Sequence, residues 1–173
     1  MLIYFILILA ISSRFIPHIP NVGVITALAI FSATYLPTKR AIAVPLVVRF
    51  ISDAIIGFFS WPLMIAVYAS HMSGILFGLW IKKASDSSRW LKILSSGIAS
   101  ALIFFLVTNF AFLYPEYPHN VAGIIQSYVS ALPFLRGTII GDIGYVVALF
   151  GAYELATYFA RQRKEKKLAL IKV

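Results

Sequence analysis

The sequence contains no cysteine, and this absence removes several kinds of chemistry at once. Disulfide bridges, thiol nucleophiles and cysteine-ligated metal sites all need a sulfur that the chain does not supply. Acidic residues are also scarce, since Asp and Glu together number six in 173 residues. The small number of carboxylates leaves no recognisable acidic pair beside a nucleophile.

The usual enzyme signatures are missing as well. There is no His-Glu-x-x-His, no Gly-x-Ser-x-Gly and no Walker loop in the chain. We therefore expect a protein that is not an enzyme, has no cofactor and cannot hydrolyse a nucleotide by itself. If it moves a solute against a gradient, the energy has to come from a partner or from an ion.

Apolar residues dominate what is present, because they make up 61% of the chain against 12% charged. A soluble domain of this size could not bury so much apolar surface. At roughly 20 residues per span, the chain predicts an all-α integral membrane bundle of about six transmembrane helices. We expect one transmembrane domain over residues 1–160 and a basic tail over 161–173. The predicted spans are Leu2–Ile11, Val22–Leu36, Ala41–Phe59, Trp61–Ile81, Leu94–Tyr114 and about Gly137–Ala160.

The distribution of charge predicts the orientation of these spans. The segments that follow the second, fourth and sixth spans carry net charges of +2, +3 and +5, whereas the opposite side sums to +1. Since Lys and Arg stay in short cytoplasmic loops, both termini are expected in the cytoplasm of a multi-pass cell-membrane protein. The net charge of +9 is then a feature of membrane topology, and nucleic acid is not an expected partner.

The segment Asn120–Leu132 does not fit the six predicted spans. Its apolar residues recur at helical spacing between polar ones, which is typical of an amphipathic helix. A crossing here would place the basic tail outside. We therefore predict that it lies on the outer face or re-enters there, and that Pro133 ends it.

Ionisable residues inside the spans are the candidates for function, because each costs roughly 2.5–3.5 kcal/mol to insert at mid-membrane. Arg49 and Asp53 are four residues apart and can pair on one helix face, either as a structural ion pair or at a site. His71 is either a hydrogen-bonded core residue or part of a site. Glu154 is near the predicted cytoplasmic end and is expected to pair with a loop Lys or Arg.

Three polar residues are predicted to share one level in the outer leaflet. Counting about 1.5 Å per residue places Asp53, Asn109 and Asp142 roughly 7–9 Å below the outer surface. Three independent lipid-facing positions would be improbable, so we expect them to converge on a cavity that opens outward. A lid over that cavity, or else an ordinary aromatic belt, is expected from the following outer residues: Arg14, His18, Asn21 and Tyr114–Asn120.

Small residues at GxxxG spacing occur at Gly74/Gly78 and at Gly137/Gly141, with a similar face at Ala29/Ala33. Such spacing allows two helix backbones to approach closely.

The chain also resembles a known group of proteins. The residues that carry the resemblance are, in order, Arg14-Phe15-Ile16-Pro17-His18-Ile19-Pro20-Asn21, Ser52-Asp53, Thr108-Asn109-Phe110, Ala131-Leu132-Pro133-Phe134 and Gly141-Asp142. Over roughly residues 10–150 it looks like a family of small bacterial membrane proteins similar to the substrate-binding S components of energy-coupling factor (ECF) vitamin transporters.

The resemblance implies a six-helix bundle that binds a vitamin or related micronutrient on its outer side. It implies as partners a shared ECF membrane subunit and two cytoplasmic ATPases, with the Ala29/Ala33 face resembling the surface that docks the membrane subunit. Cobalt- and nickel-type members carry a histidine motif directly after the initiator Met. Here Leu2-Ile3-Tyr4 departs from it, so metal transport is not expected.

These observations predict an S-component-like binding subunit for a small solute, embedded in the lipid bilayer. The expected substrate-binding residues are Asp53, Asn109, Asp142, Arg49, His71, Asn21 and His18. Two alternatives stay open at this stage. One is a non-transport scaffold or envelope assembly factor, with those residues paired off in a solid core. The other is a self-sufficient ion-coupled carrier.

Overall fold

The computed structural model describes residues 2–13 and 22–171, with side chains to residue 166. These residues form six α-helices and one short 3-10 turn. The helices are α1 (Leu2–Ser13), α2 (Ile25–Tyr35), α3 (Thr38–Ile56), α4 (Trp61–Lys82), α5 (Asp86–Thr108) and α6 (Val121–Ile171). The 3-10 turn, Ala111–Leu113, lies between α5 and α6. The all-α prediction is thereby confirmed.

Three of the helices are long and apolar enough to cross a membrane by length and composition. They are α4, α5 and the apolar part of α6, and their most apolar windows are less than half buried within the protein. The helices α1 and α2 are apolar but shorter, at 12 and 11 residues.

The shortest helix, α2, is the centre of the bundle and contacts all five others. Every residue from Ile25 to Thr34 is buried, so the helix has no surface-facing side. At about 1.5 Å per residue, α2 measures roughly 16 Å, about half the hydrocarbon thickness of a bilayer. A helix that stops at this depth is tolerated where other protein surrounds its exposed backbone ends.

Glycines allow α2 and α4 to approach each other closely. A Cβ atom added at Gly78 would lie 2.3 Å from the carbonyl oxygen of Ile30 and 2.5 Å from the Cβ of Ala33. A Cβ added at Gly74 would lie 3.0 Å from the Cβ of Ala29. The small residues of the two helices therefore face each other, as their spacing predicted.

This packing corrects one expectation drawn from the resemblance. Ala29 and Ala33 are both fully buried against α4, so their face is not available to dock another membrane subunit. The spacing of small residues identifies a face that packs closely. It does not identify whether the partner is another helix of the same chain or another protein.

Two helices end earlier than their apolar runs suggested. Helix α3 ends at Ile56, followed by Gly57 with a φ of 121°, a left-handed conformation that favours glycine at a helix C-terminus. Helix α5 ends at Thr108, and the Asn109 side chain donates to the Phe105 carbonyl at 2.8 Å. Asp53 and Asn109 therefore lie nearer to the ends of their helices than was predicted by counting residues from the ends of the apolar runs.

The prediction that residues 120–132 form a separate helix ended by Pro133 is wrong. Helix α6 runs without interruption from Val121 to Ile171, and Pro133 lies inside it. A proline removes one backbone hydrogen bond, but its fixed φ is compatible with a helix, and packing of the flanking turns can sustain it. Those turns do pack, because Ser127 donates to the Asn109 carbonyl and Tyr128 donates to the Leu106 carbonyl.

The two ends of the bundle differ in charge. One end, here called the basic end, contains the C-termini of α2 and α4 and the N-termini of α3 and α5. There Arg89 pairs with Glu154 at 3.0 Å and donates to the Tyr35 hydroxyl at 2.6 Å. The predicted pairing of Glu154 with a basic residue is confirmed. The opposite end, here called the cavity end, contains the C-termini of α3 and α5 and the N-termini of α2 and α4.

Candidate functional site

A cavity of about 390 Å³ opens among five helices at the cavity end of the bundle. This volume is near the lower limit of pockets that hold small organic molecules. Its walls combine aromatic and aliphatic side chains with a few polar ones. The polar lining residues are Thr26, Arg49, His71, Thr108, Asn109, Tyr114, Thr138 and Asp142.

Arg49 is held in the cavity wall by a neighbouring carboxylate and by aromatic rings. Its Nε donates to Asp53 Oδ2 at 2.8 Å, and Tyr68 donates its hydroxyl to the same oxygen at 2.9 Å. The guanidinium also lies 5.7 Å from the centre of the Phe59 ring. Both charges are largely withdrawn from solvent, with side-chain exposures of 11% for Arg49 and 3% for Asp53. The pair is therefore a neutralised unit that presents Arg49 to the cavity.

A polar chain crosses the cavity floor from α4 through α2 to α6. The Thr26 hydroxyl is 2.9 Å from His71 Nδ1 and is also hydrogen-bonded to Asp142. A carboxylate can only accept, so we assign the Thr26 proton to Asp142 and let the Thr26 oxygen accept from His71 Nδ1. The His71 ring lies 5.1 Å from the ring centre of Phe104.

Asp142 has one oxygen that no donor reaches. The residue is 3% exposed, and its Oδ2 has no hydrogen-bond partner in the part of the chain that the structure describes. Within the same described part, no salt bridge involves Asp142. A buried polar atom without a partner typically costs about 1–3 kcal/mol, and more when it is charged. Because Asp142 lines the cavity, a donor placed there would satisfy it.

The local sequence around Asp142 explains how a carboxylate reaches this position. Gly141 precedes it, and a Cβ added there would lie 2.8 Å from the Cα of Val22. The glycine thus lets α6 approach the chain immediately before α2. Asp142 is thereby brought beside the N-terminal turn of α2, whose unpaired backbone N–H groups favour negative charge.

A second, smaller recess of about 130 Å³ adjoins the main cavity and shares Asn109, Tyr114 and Phe134 with it. Its charged lining residue is Glu116, which is exposed. We call this recess the vestibule. The Tyr114 hydroxyl donates to the Thr108 carbonyl at 2.6 Å, and burial raises the pKa of Tyr114, so it remains a neutral donor. Tyr114 and Asn109 therefore stand between the vestibule and the cavity.

Four of the predicted site residues are brought together: Arg49, His71, Asn109 and Asp142 all line the cavity. His71, predicted to be either a core residue or part of a site, is both, since it is hydrogen-bonded and lines the wall. Asp53 was expected to line the cavity as well, and this was wrong. It lies behind Arg49, because the i, i+4 ion pair turns its carboxylate towards the guanidinium.

The predicted residues Arg14, His18 and Asn21 lie outside the described residues. Of the predicted lid segment Tyr114–Asn120, Tyr114 lines the main cavity, and Glu116 and Tyr117 line the vestibule.

Sequence reasoning missed the threonines and Tyr68. Thr26, Thr108 and Thr138 line the cavity, and Tyr68 orients Asp53 from α4. A threonine is common in apolar helices, where it can satisfy its own hydroxyl on the preceding turn, as Thr138 does on Phe134. Nothing in the sequence separates such a threonine from one that faces a cavity.

The described residues contain no group of three or more His, Asp or Glu side chains arranged to hold a metal ion. The cavity instead offers hydrogen-bonding groups, one neutralised cation and one carboxylate, among aromatic walls. This is the composition of a site for a small organic molecule that has both a polar and an apolar part.

Fold and site together define a class: a helical protein with three helices long and apolar enough to cross a membrane and with a partly polar cavity at one end. The chain belongs to the DUF6580 family, whose function is unknown and whose model matches residues 1–167. No curated protein and no solved structure is significantly similar to it.

Proposed function

We propose that this protein is a membrane-embedded binding subunit for the uptake of a small solute. It is S-component-like and is energised by partner ATPases, with an ECF membrane subunit as the further partner. The observation that supports binding most directly is the 390 Å³ cavity, which is lined by Arg49, His71, Asn109 and Asp142. The dependence on ATPase partners rests on the sequence resemblance and on the lack of a nucleotide-binding motif in the chain.

The cavity favours solute binding over a scaffold role. A scaffold was expected to have a solid core with the buried polar residues paired off. Arg49 and Asp53 are paired in this way, but Asp142 faces a cavity with an unsatisfied oxygen. A protein that only supports others gains nothing from such an oxygen, which lowers its stability.

We also propose that the helices cross the cell membrane six times, with the basic end in the cytoplasm. The basic residues Lys39, Lys82 and Lys83 are exposed at that end, whereas the cavity lies at the other. Positive charge is retained on the cytoplasmic side, so the cavity opens outward.

This orientation is testable by cysteine labelling, since the chain has no cysteine of its own. A membrane-impermeant maleimide is expected to label Glu116→Cys in intact cells. It should label Ser87→Cys and Gln162→Cys only after the membrane is permeabilised. All three positions are exposed, so unequal labelling reports sidedness and not burial. Labelling of Ser87→Cys in intact cells would contradict the proposed orientation.

Solute binding is testable with a variant that fills the cavity. Leu63→Trp places a larger ring in the cavity wall, and Leu76→Trp makes the same change on the exposed face of the same helix. Mass spectrometry of gently extracted protein is expected to find a small molecule that co-purifies with the wild type and with Leu76→Trp. Leu63→Trp should lose it. Equal recovery from both variants, or recovery from none, would count against a solute site in this cavity.

Measurements of uptake distinguish transport energised by partner ATPases from transport coupled to an ion gradient. Uptake of the co-purified molecule should stop when the host's ECF ATPases are deleted, while binding by the purified protein persists. Uptake that survives this deletion and collapses with the proton or sodium gradient would favour the ion-coupled carrier.

A further inference from the structure

The electrostatics of the cavity indicate the class of solute, an inference that rests on the proposed function and extends it. Among the described residues, two charged side chains, Arg49 and Asp142, line the cavity, but their surroundings differ. Arg49 has its charge balanced by Asp53 at 2.8 Å. Asp142 has no ion-pair partner in the described part of the chain. Among the described residues of the cavity wall, the charged group left without an ion-pair partner is therefore the acidic Asp142.

Asp142 has a hydrogen bond from Thr26 and one unsatisfied oxygen. A cation that donates to this oxygen would stabilise the charged form of the carboxyl group. Among the residues that the structure describes, no lysine or arginine other than Arg49 lines the cavity. Among the described residues, the polar side chains that α2, α4 and α6 contribute to the cavity wall besides Asp142 are Thr26, His71 and Thr138. In its charged form, the unsatisfied oxygen of Asp142 accepts hydrogen bonds and supplies none.

The vestibule also carries a negatively charged side chain, and this observation is independent of Asp142. Its charged lining residue is Glu116, and its other polar groups are the neutral Asn109, Tyr114, Tyr117, Ser127 and Ser130. Since the vestibule shares three residues with the cavity, a solute that enters this way passes one exposed carboxylate before it reaches the buried one. A negative entrance raises the local concentration of cations and repels anions.

The walls of the cavity suit the body of such a solute. Phe59, Phe104, Phe105 and Phe134 line it together with aliphatic side chains. Aromatic faces attract organic cations through their negative ring faces, in addition to excluding water.

We propose that the solute is an organic cation: a small, flat or partly apolar molecule with a protonated nitrogen that donates to Asp142. Ammonium, amidinium and protonated nitrogen heterocycles all fit this description. In this site Asp142 selects the charge, the phenylalanines hold the body, and Glu116 guides entry.

Three aromatic probes of nearly the same shape test the charge preference: benzamidinium, benzamide and benzoate. Saturation-transfer NMR with the full-length protein in nanodiscs measures the binding of each one. The NMR signal that remains with Leu63→Trp, whose cavity is filled, measures probe binding outside the cavity. Cavity-dependent affinity is expected to fall in the order benzamidinium, benzamide, benzoate. Benzoate binding as well as benzamidinium, or no cavity-dependent benzamidinium signal, would overturn the proposal.

Asp142→Asn preserves the shape of the side chain and removes its charge. It is expected to weaken benzamidinium binding by about tenfold or more, because hydrogen bonds to charged groups are among the stronger ones in proteins. Benzamide binding should change much less. If Asp142 were instead a protonated donor for an anion, Asp142→Asn would leave benzamidinium unaffected and would retain benzoate, and the proposal would fail.

Glu116→Gln provides a second variant that does not disturb the buried core, since Glu116 is exposed. It should weaken benzamidinium binding at low ionic strength, with a difference that shrinks as salt is added. Asp86→Asn removes an equally exposed carboxylate at the basic end and should have no effect. Equal effects of the two variants would remove the role assigned to the vestibule.

The co-purification experiment distinguishes failure of this inference from failure of the proposed function. A molecule that depends on an unfilled cavity but is an anion would overturn the cation assignment and leave solute binding intact. The absence of any cavity-dependent molecule would count against both.

Discussion

Gly78→Leu is expected to abolish folding of the protein in the membrane, and Gly78→Ala to destabilise it. Even one added carbon would lie 2.3 Å from the backbone oxygen of Ile30, so α2 and α4 would have to separate. Because α2 is buried from Ile25 to Thr34, that separation would disturb its contacts with every other helix. Overpacking by a single carbon typically costs about 1–3 kcal/mol. Thermal unfolding in detergent measures the loss for alanine, and the yield of monodisperse protein measures the loss for leucine.

Gly144 supplies the matched control on α6. A Cβ added there has no atom within 4 Å, and the residue is exposed. Gly144→Ala should therefore leave stability unchanged or slightly raised, since alanine favours a helix more than glycine does. Equal destabilisation by both alanine variants would mean that the contact between α2 and α4 does not limit the stability of the bundle.

Arg49→Met is expected to cost about 3–5 kcal/mol, because it removes the guanidinium that pairs with the buried Asp53 carboxylate. Methionine keeps the apolar stem of the side chain, so the change removes mainly the guanidinium. Combining it with Asp53→Asn removes both charges, and the double variant should be more stable than the sum of the two single losses predicts. Thermal or denaturant unfolding of the four proteins gives the coupling between the two residues.

The exposed ion pair at the basic end is the control for this cycle. Arg89 and Glu154 are 3.0 Å apart, but their side chains are 23% and 31% exposed. Pairs accessible to solvent typically contribute about 0–1 kcal/mol. The coupling of Arg89→Met with Glu154→Gln should therefore be small. If Arg49 and Asp53 gave additive losses, we would conclude that their contact contributes nothing to stability.

Properties that depend on short stretches of sequence were accessible from the sequence. The all-α class followed from the apolar runs, and the ion pair of Arg49 with Asp53 followed from their spacing on one helix. The glycines of α4 marked a face that packs closely. The need to satisfy a buried polar group correctly directed attention to His71 and Asp142.

Partners that are distant in the chain were not accessible. Glu154 was expected to find some basic residue, but its choice of Arg89, 65 positions away, required the structure. The same holds for Thr26, which connects His71 to Asp142 from a third helix.

The sequence by itself determined that this chain is an all-α protein with helices apolar enough to cross a membrane, and which few residues are costly to bury. Only the tertiary structure decided that α2 is the central helix, that Asp53 lies behind Arg49, and that α6 continues through Pro133. The physical reason is that lipid and protein interior are equally apolar. Hydropathy therefore reports that a residue avoids water, and only the packing of distant helices decides whether it meets lipid, protein or a cavity.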